Sequence, residues 1–495
     1  MYYDAILFSD SPLERLTPST SIPSRSAGAY TLASYLRHNG YTVKVIDFHL
    51  YFLGSSSNEK LTEYVKSIIG PQTLFMGFSS TFSLYKNKER IENLICFISS
   101  IKSKHPHIKI LLGGYGSETY SFFKKHQDGI DMWLKGLGED TVLDYMKKRG
   151  EGFSQIVTDP FSKNFDFRNK KYTFFPEDHI FENEVLSIEV ARGCRFKCKF
   201  CKYPLLGRKP SDNYTRSEDS LYSEFMHNYE NFGTTNYRIV DDTFNETTEK
   251  IQTFANAVKR TGLDLNFWSY CRIELMNSYP EQISILRDLG LKYVFFGLES
   301  LNYESAKAIG KGLTLENILK TLSDVKKSWG EYSILHANFI VGLPYETRET
   351  LDKWTRMVFN GETDLDHVRF TSLNMVSDSD IANANFSGEY FSTFELNKEK
   401  YGYVDIGEGD WKNENWTSEE AKMYTEYLNA AAVQNSLRRT FSEFQFMNVR
   451  IKYPNLTWND LHQKTYTLDE EQSIFKKIND ASNYYLKTYE ERVMS

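Results

Sequence analysis

Cysteine is scarce here. Five in 495 residues are too few to staple a fold with disulfides. Proline is scarce too, at 12. No apolar run reaches the roughly 18 residues that a membrane-spanning helix needs, so none is expected. The opening stretch MYYDAILFSDSPLERL lacks a basic segment followed by an apolar one, so a secretory signal is not expected and a cytoplasmic protein is. Excess positive charge is missing as well: 59 Lys and Arg against 66 Asp and Glu leave a net charge of −7, which disfavours a general nucleic-acid binder. What remains is 40% hydrophobic and 15% aromatic, enough for large cores, over a length that suits about three domains.

Short apolar runs alternate with amphipathic stretches over residues 1–150. Tyr3–Phe8, Tyr41–Asp47, Leu74–Ser80, Ile108–Gly113 and Met132–Lys135 read as strands, with helices over Ala27–Asn39, Lys88–Lys102 and Glu139–Lys148. Strands separated by helix-length segments imply a doubly wound, Rossmann-like parallel sheet, whose ligands bind beyond the strand carboxyl ends. Residues 151–185 show no sustained period and read as a linker.

A second alternation runs over 186–380. Six strand candidates (Leu186–Ala191, Tyr237–Asp241, Asn266–Arg272, Tyr293–Gly297, His336–Val341 and His367–Leu373) are spaced by helical stretches, which implies a partial (βα)6 barrel. Residues 381–495 read as a helical C-terminal domain. Trp411, Trp416 and Tyr424 there are candidates to line a substrate pocket.

Three of the five cysteines fall within eight positions, in Ala191-Arg192-Gly193-Cys194-Arg195-Phe196-Lys197-Cys198-Lys199-Phe200-Cys201-Lys202-Tyr203. The segment follows a strand, at the reactive end of the second sheet. Three thiolates this close can hold three irons of a cubane cluster and leave the fourth open, whereas a structural zinc wants four ligands. Neighbouring Arg192, Arg195, Lys197, Lys199 and Lys202 are expected to lower the thiol pKa values. Cys96 and Cys271 read as core thiols.

The arrangement resembles the CxxxCxΦC signature of the radical S-adenosylmethionine (SAM) superfamily, with Phe200 as the aromatic position. Further segments extend the resemblance to the subgroup with an N-terminal cobalamin-binding domain, over about residues 1–375. They are Val240-Asp241-Asp242-Thr243-Phe244, Tyr270-Cys271-Arg272-Ile273-Glu274, Phe296-Gly297-Leu298-Glu299-Ser300, Ile309-Gly310-Lys311-Gly312, and Gly342-Leu343-Pro344-Tyr345-Glu346-Thr347. Lys135-Gly136-Leu137-Gly138-Glu139 is similar to that subgroup's GEGE segment, with Leu137 in place of an acid. The DxHxxG motif of other cobalamin domains is absent.

The resemblance implies a 4Fe-4S cluster on Cys194, Cys198 and Cys201. It implies SAM contacts from Phe200, Asp241 or Asp242 to the ammonium, Arg272 to the carboxylate, Glu299 and Ser300 to the ribose or methionine part, and Ile340 and Gly342 to the adenine. It also implies cobalamin near Ser79, Ser80, Gly113, Gly114, Gly136 and Glu139. The expected enzyme cleaves SAM to a 5′-deoxyadenosyl radical that abstracts a substrate hydrogen, followed by cobalamin-dependent methyl transfer to an unactivated carbon. Its partners are a small-molecule or peptide substrate and an electron donor such as flavodoxin or ferredoxin. The alternatives are a non-methylating radical rearrangement, cyclisation or oxidation, and, in another class, a non-catalytic metal-binding partner protein.

Overall fold

The computed structural model describes residues 2–9, 25–47, 57–79, 88–113, 129–159, 164–201, 208–209, 213–331, 333–383, 392–407, 409–435, 437, 445–461 and 467–494. Two parallel six-stranded sheets organise them. The first contains β1 (Ala5–Ser9), β2 (Val43–Asp47), β3 (Phe75–Ser79), β4 (Lys109–Gly113), β5 (Met132–Gly136) and β6 (Ile156–Asp159), in the order β2-β1-β3-β4-β5-β6. The reversal of direction between β1 and β3 is the doubly wound pattern.

β6 lies in the stretch read from sequence as linker. It has only four residues and pairs on one side, with β5, so it carries no alternation long enough to recognise. The rest of that stretch is packed rather than loose. Tyr172, Phe174 and Phe181 are buried, and Arg37 holds Asp178 at 2.7 Å.

The second sheet runs in sequence order: β7 (Leu186–Ile188), β8 (Asn236–Ile239), β9 (Asn266–Cys271), β10 (Leu291–Glu299), β11 (Ile334–Val341) and β12 (His367–Ser372). Helices Glu218–Phe232, Thr248–Thr261, Glu281–Asp288, Leu315–Trp329 and Arg348–Phe359 follow successive strands, which makes a partial (βα)6 barrel. The hydroxyls of Ser217, Thr247, Thr314 and Thr347 cap four of these helices, each accepting a backbone N–H of the first turn. One face of the sheet, with Val294, Phe296, Ala337 and Phe339, joins Phe254, Leu322 and Trp354 of the helices in the main apolar core.

The C-terminal part is helical, with one small addition: an antiparallel hairpin of β13 (Val404–Gly407) and β14 (Asp410–Lys412). Helix Ser418–Gln434 covers the open edge of β12. Asn429 donates to Phe370 O and accepts from Phe370 N, so that edge is closed. Trp411 and Trp416, expected to line a pocket, are instead 1% exposed. Trp411 donates to Leu373 O just after β12, and Trp416 donates to Glu346 O, which braces the turn after β11. Helix Leu468–Met494 returns to the first sheet, where Ala481, Tyr485 and Tyr489 share a second core with Ile6, Phe8 and Leu112. Among the described residues no helix is long and apolar enough to cross a membrane.

Candidate active site

The β7 ladder stops at Ile188 because a carboxylate takes over the backbone. Asp241, at the end of β8, accepts from Val190 N at 2.8 Å and Ala191 N at 3.0 Å. Its other oxygen meets Lys250 at 2.8 Å, and Lys250 also pairs with Glu246 at 3.0 Å. Glu246 in turn accepts Arg195 N at 3.2 Å. This buried triad therefore suspends the cysteine loop at both sides of Cys194. The far side of the loop is stitched elsewhere: Lys199 N donates to Ile309 O at 3.0 Å, and Phe394 N donates to Lys199 O at 3.0 Å. Gly310 lies against the loop, where a Cβ would come 3.8 Å from Cys198 Cα.

Cys194 is buried, with its sulfur 3.4 Å from the Thr243 hydroxyl, while Cys198 and Cys201 are half-buried. Burial pushes the Cys194 thiol up, contrary to the lowering expected from the basic neighbours. Two of those neighbours are engaged elsewhere. Arg192 binds Glu139 and Glu189, and Lys199 lies over the Tyr401 ring at 5.4 Å; Lys202 falls outside the described residues. Arg272 brings a cation to the sulfurs: it donates to Cys198 Sγ at 3.0 Å and to Glu274 at 3.0 Å, and stacks on Phe196 at 4.3 Å.

The donor set suits a cubane better than zinc. Cys271 is buried in the main core, its thiol raised by burial, so it supplies no fourth ligand. Cys96, expected to be core, is exposed.

Asp242 sits beside Asp241 and has no ion-pair partner among the described residues. Burial, then the Asp241 charge, push its carboxyl up to about 7, a state that an incoming cation would relieve. Asp241, by contrast, is committed to the loop.

Glu299 closes β10 in the left-handed region, at φ 68°, where a non-glycine residue costs on the order of 1–3 kcal/mol. A register shift between Gly297 and Glu299 re-aims it. Its carboxylate accepts from Asn338 at 3.2 Å and lies 3.9 Å from Lys311, and burial raises its pKa. Lys311 is no solvated charge: it is nearly buried, donates to Gly297 O and lies 3.9 Å from Glu274.

The structure does not bring all the expected SAM contacts together. Ser300 is fully buried, with its hydroxyl on Glu346 at 2.7 Å. Gly342, at φ 94°, is approached by Trp411, whose ring would lie 2.5 Å from a Cβ, so its glycine serves the tail. Ile340 is largely buried in β11, and Phe200 is half-buried against the main core. Sequence reasoning missed Thr243, Glu274 and Asn338. The first two stood inside quoted segments, but nothing in one sequence marks Asn338 as facing Glu299.

At the first sheet, Ser79, Gly113 and Gly136 lie at strand carboxyl ends; Ser80 and Gly114 fall outside the described residues. Among the described residues, nothing lies within 4 Å of where a Cβ at Gly113 would be. Glu139 begins the helix after β5 and accepts from Arg192 at 2.6 Å, which brings the carboxyl end of the first sheet to that of the second. On this buried pair Glu139 Oε2 and Arg192 Nη1 have no hydrogen-bond partner, one acceptor and one donor left over. A primary amide would satisfy both, and the corrin rim carries several, so these residues fit cobalamin.

Residues 188–358 match the sequence profile of the radical SAM superfamily. An uncharacterized methyltransferase of Pyrococcus horikoshii is 23% identical over 384 residues, 73% of this chain and 78% of that protein. The radical SAM methyltransferase TsrM of Kitasatospora setae, solved with cobalamin and a 4Fe-4S cluster, superposes with TM-score 0.62 at 14% identity, over 97% of this chain and 100% of that one. The cobalamin-dependent SAM radical enzyme OxsB, solved with aqua-cobalamin and SAM, gives 0.58 at 15% identity, over 99% of this chain and 71% of that one. Those two likenesses are of fold, and they span both sheets. Residues 188–358 thus match the radical SAM superfamily, and the fold of the chain across both sheets is like that of TsrM and OxsB.

Proposed function

We propose that the protein is a radical SAM methyltransferase that uses a 4Fe-4S cluster and cobalamin to methylate an unactivated carbon of a small molecule or peptide. The observation that carries this reading is the loop itself: three thiols without a fourth, held from both sides, with Arg272 on one sulfur. A 4Fe-4S cluster held there would supply the electron, delivered from a flavodoxin- or ferredoxin-type donor, for cleavage of SAM to the 5′-deoxyadenosyl radical, and cobalamin would supply the methyl group. The protein's residues position and shield. Asp242 receives the SAM ammonium, Arg272 orients Cys198 and presents its remaining N–H to the carboxylate, and Glu299 and Asn338 accept from and donate to hydroxyl groups. The Glu139–Arg192 pair holds a corrin amide at the junction of the sheets.

The test is anaerobic. Reconstituted protein should carry about four irons per chain, and Cys194→Ala, Cys198→Ala or Cys201→Ala should each lose them together with SAM cleavage. With substrate, S-adenosylhomocysteine should accompany 5′-deoxyadenosine. Deoxyadenosine alone would replace methylation by a non-methylating radical reaction. One zinc and no sulfide would overturn the enzyme reading altogether.

A further inference from the structure

Arg272 reaches Cys198 from a backbone that another residue holds. Asn245 brackets it, accepting from Arg272 N at 2.8 Å and donating to Arg272 O at 3.0 Å. The guanidinium is aimed separately. Phe196 supports it at 4.3 Å, and Glu274 Oε1 accepts from Nη2 at 3.0 Å while Nη1 donates to Cys198 Sγ at 3.0 Å. Glu274 also has a second cation. Lys311 lies 3.9 Å from the same Oε1 and is itself fixed, donating to Gly297 O. Its segment is tied to the cysteine loop through Ile309 O, which accepts from Lys199 N at 3.0 Å. Burial pushes the Glu274 carboxyl up, yet Lys311 and Arg272 outweigh it and hold the carboxyl below its ordinary value. Two cations share one carboxylate, which leaves an excess of positive charge beside Cys198. These side chains are 11%, 20% and 7% exposed for Arg272, Glu274 and Lys311, so water screens that charge little.

We propose that Glu274 and Lys311 are positioning residues that set the reduction potential of the cluster by holding the Arg272 guanidinium on Cys198 Sγ. The proposal rests on the cluster part of the reading above and gives a task to two residues that reading left without one. The potential of an iron–sulfur centre follows its net charge, its exposure and the hydrogen bonds to its sulfurs. Reduction adds negative charge, so a cation and an N–H donor at a ligand sulfur favour the reduced form and raise the potential. A side chain as long as arginine keeps such a contact only if something opposes its rotamer entropy. Glu274 is that tether, and Lys311 keeps Glu274 ionised and in place. The same carboxylate also opposes the field of the guanidinium. Its two effects therefore have opposite signs, and substitutions can separate them. One that keeps the acceptor but loses the charge raises the potential; one that keeps the charge but withdraws the acceptor lowers it.

The test is an anaerobic redox titration of the reconstituted full chain, followed by electron paramagnetic resonance, with no SAM, cobalamin or substrate present. Glu274→Gln should raise the potential, by about tenfold in the one-electron equilibrium or about 59 mV. Glu274→Asp, one methylene shorter, should lower it by a similar amount, and Lys311→Met should lower it too. In an Arg272→Met background Glu274→Asp should shift nothing, because Glu274 acts through the guanidinium. A charge acting through space alone would leave Glu274→Asp at the wild-type potential, and that result overturns the proposal. So does a Glu274→Gln potential at or below that of the wild type. If Glu274→Asp takes up no iron, Glu274→Ala replaces it: Gln and Ala both lose the charge, so Ala must lie below Gln, and equal potentials are equally fatal. Methyl transfer plays no part in the titration. A loaded cluster with unmoved potentials defeats this inference alone, whereas wild-type protein that takes up no iron and sulfide defeats the reading beneath it as well.

Discussion

Asp241 and Asp242 are adjacent in sequence and differ in what they can do. Two backbone amides and Lys250 occupy Asp241, whose carboxylate fastens the loop. Asp242 keeps a carboxyl near 7 that only a cation would return to the ionised range. Because its pKa is raised, protonated Asp242 prevails below about 7 and offers no charge to an ammonium. SAM affinity should therefore rise with pH, by up to roughly tenfold per unit below 7, and level off above 8. Asp242→Asn should bind weakly with a flat profile, as followed by equilibrium dialysis of SAM from pH 6 to 9. A flat profile in the wild-type protein would remove Asp242 from the site. Sequence could not separate the two acids. It could place both at a strand end, but which one turns toward Lys250 depends on a helix residue nine positions on.

The turn after β11 shows how an element borrows its stability. Glu346 is fully buried between the Ser300 hydroxyl and the Trp354 indole, and burial pushes its carboxyl up to about 7. The raised value means that its stabilising neutral form is complete below the ordinary carboxyl value of 4.5 and is lost as pH rises through about 7. Glu346→Gln should flatten the fall in stability between these limits, and so gain at pH 8, relative to pH 5, up to about 3 kcal/mol on the wild type in urea unfolding. A parallel pH profile for the two proteins would contradict this. Elements of this kind were legible where a period was long: the six barrel strands and the helices between them fall within a few residues of expectation. β6 and the β13–β14 hairpin, at three or four residues each, were too short to show a period. The tail tryptophans were misassigned because an indole that braces a glycine turn and one that lines a pocket look alike in sequence.

The carboxyl ends of the two sheets are bridged by a buried guanidinium, beside an apolar core that takes residues from both sheets. Arg192 bridges Glu139 of the first sheet's helix and Glu189 after β7, and Glu189 also holds Lys170. The ionic neighbours hold the Glu189 carboxyl far down, at about 2, despite its burial. Replacing one partner of such a buried set strands the others. Arg192→Met should cost about 3–5 kcal/mol in chemical unfolding, and Glu139→Gln combined with Arg192→Met should recover part of it. An unaltered unfolding midpoint in Arg192→Met would mean that the bridge contributes nothing. Facing strand ends were readable from two separate alternations in the sequence, but their apposition was not, since it turns on contacts between residues far apart in the chain, this pair among them.

Helix Leu468–Met494 has a further consequence, one of timing. The Tyr489 hydroxyl accepts the Asp47 backbone N–H, a contact across 442 positions. Until the ribosome has delivered that helix, the first sheet must wait with one oily surface uncovered, so nascent protein would depend on chaperones to shield it from its neighbours.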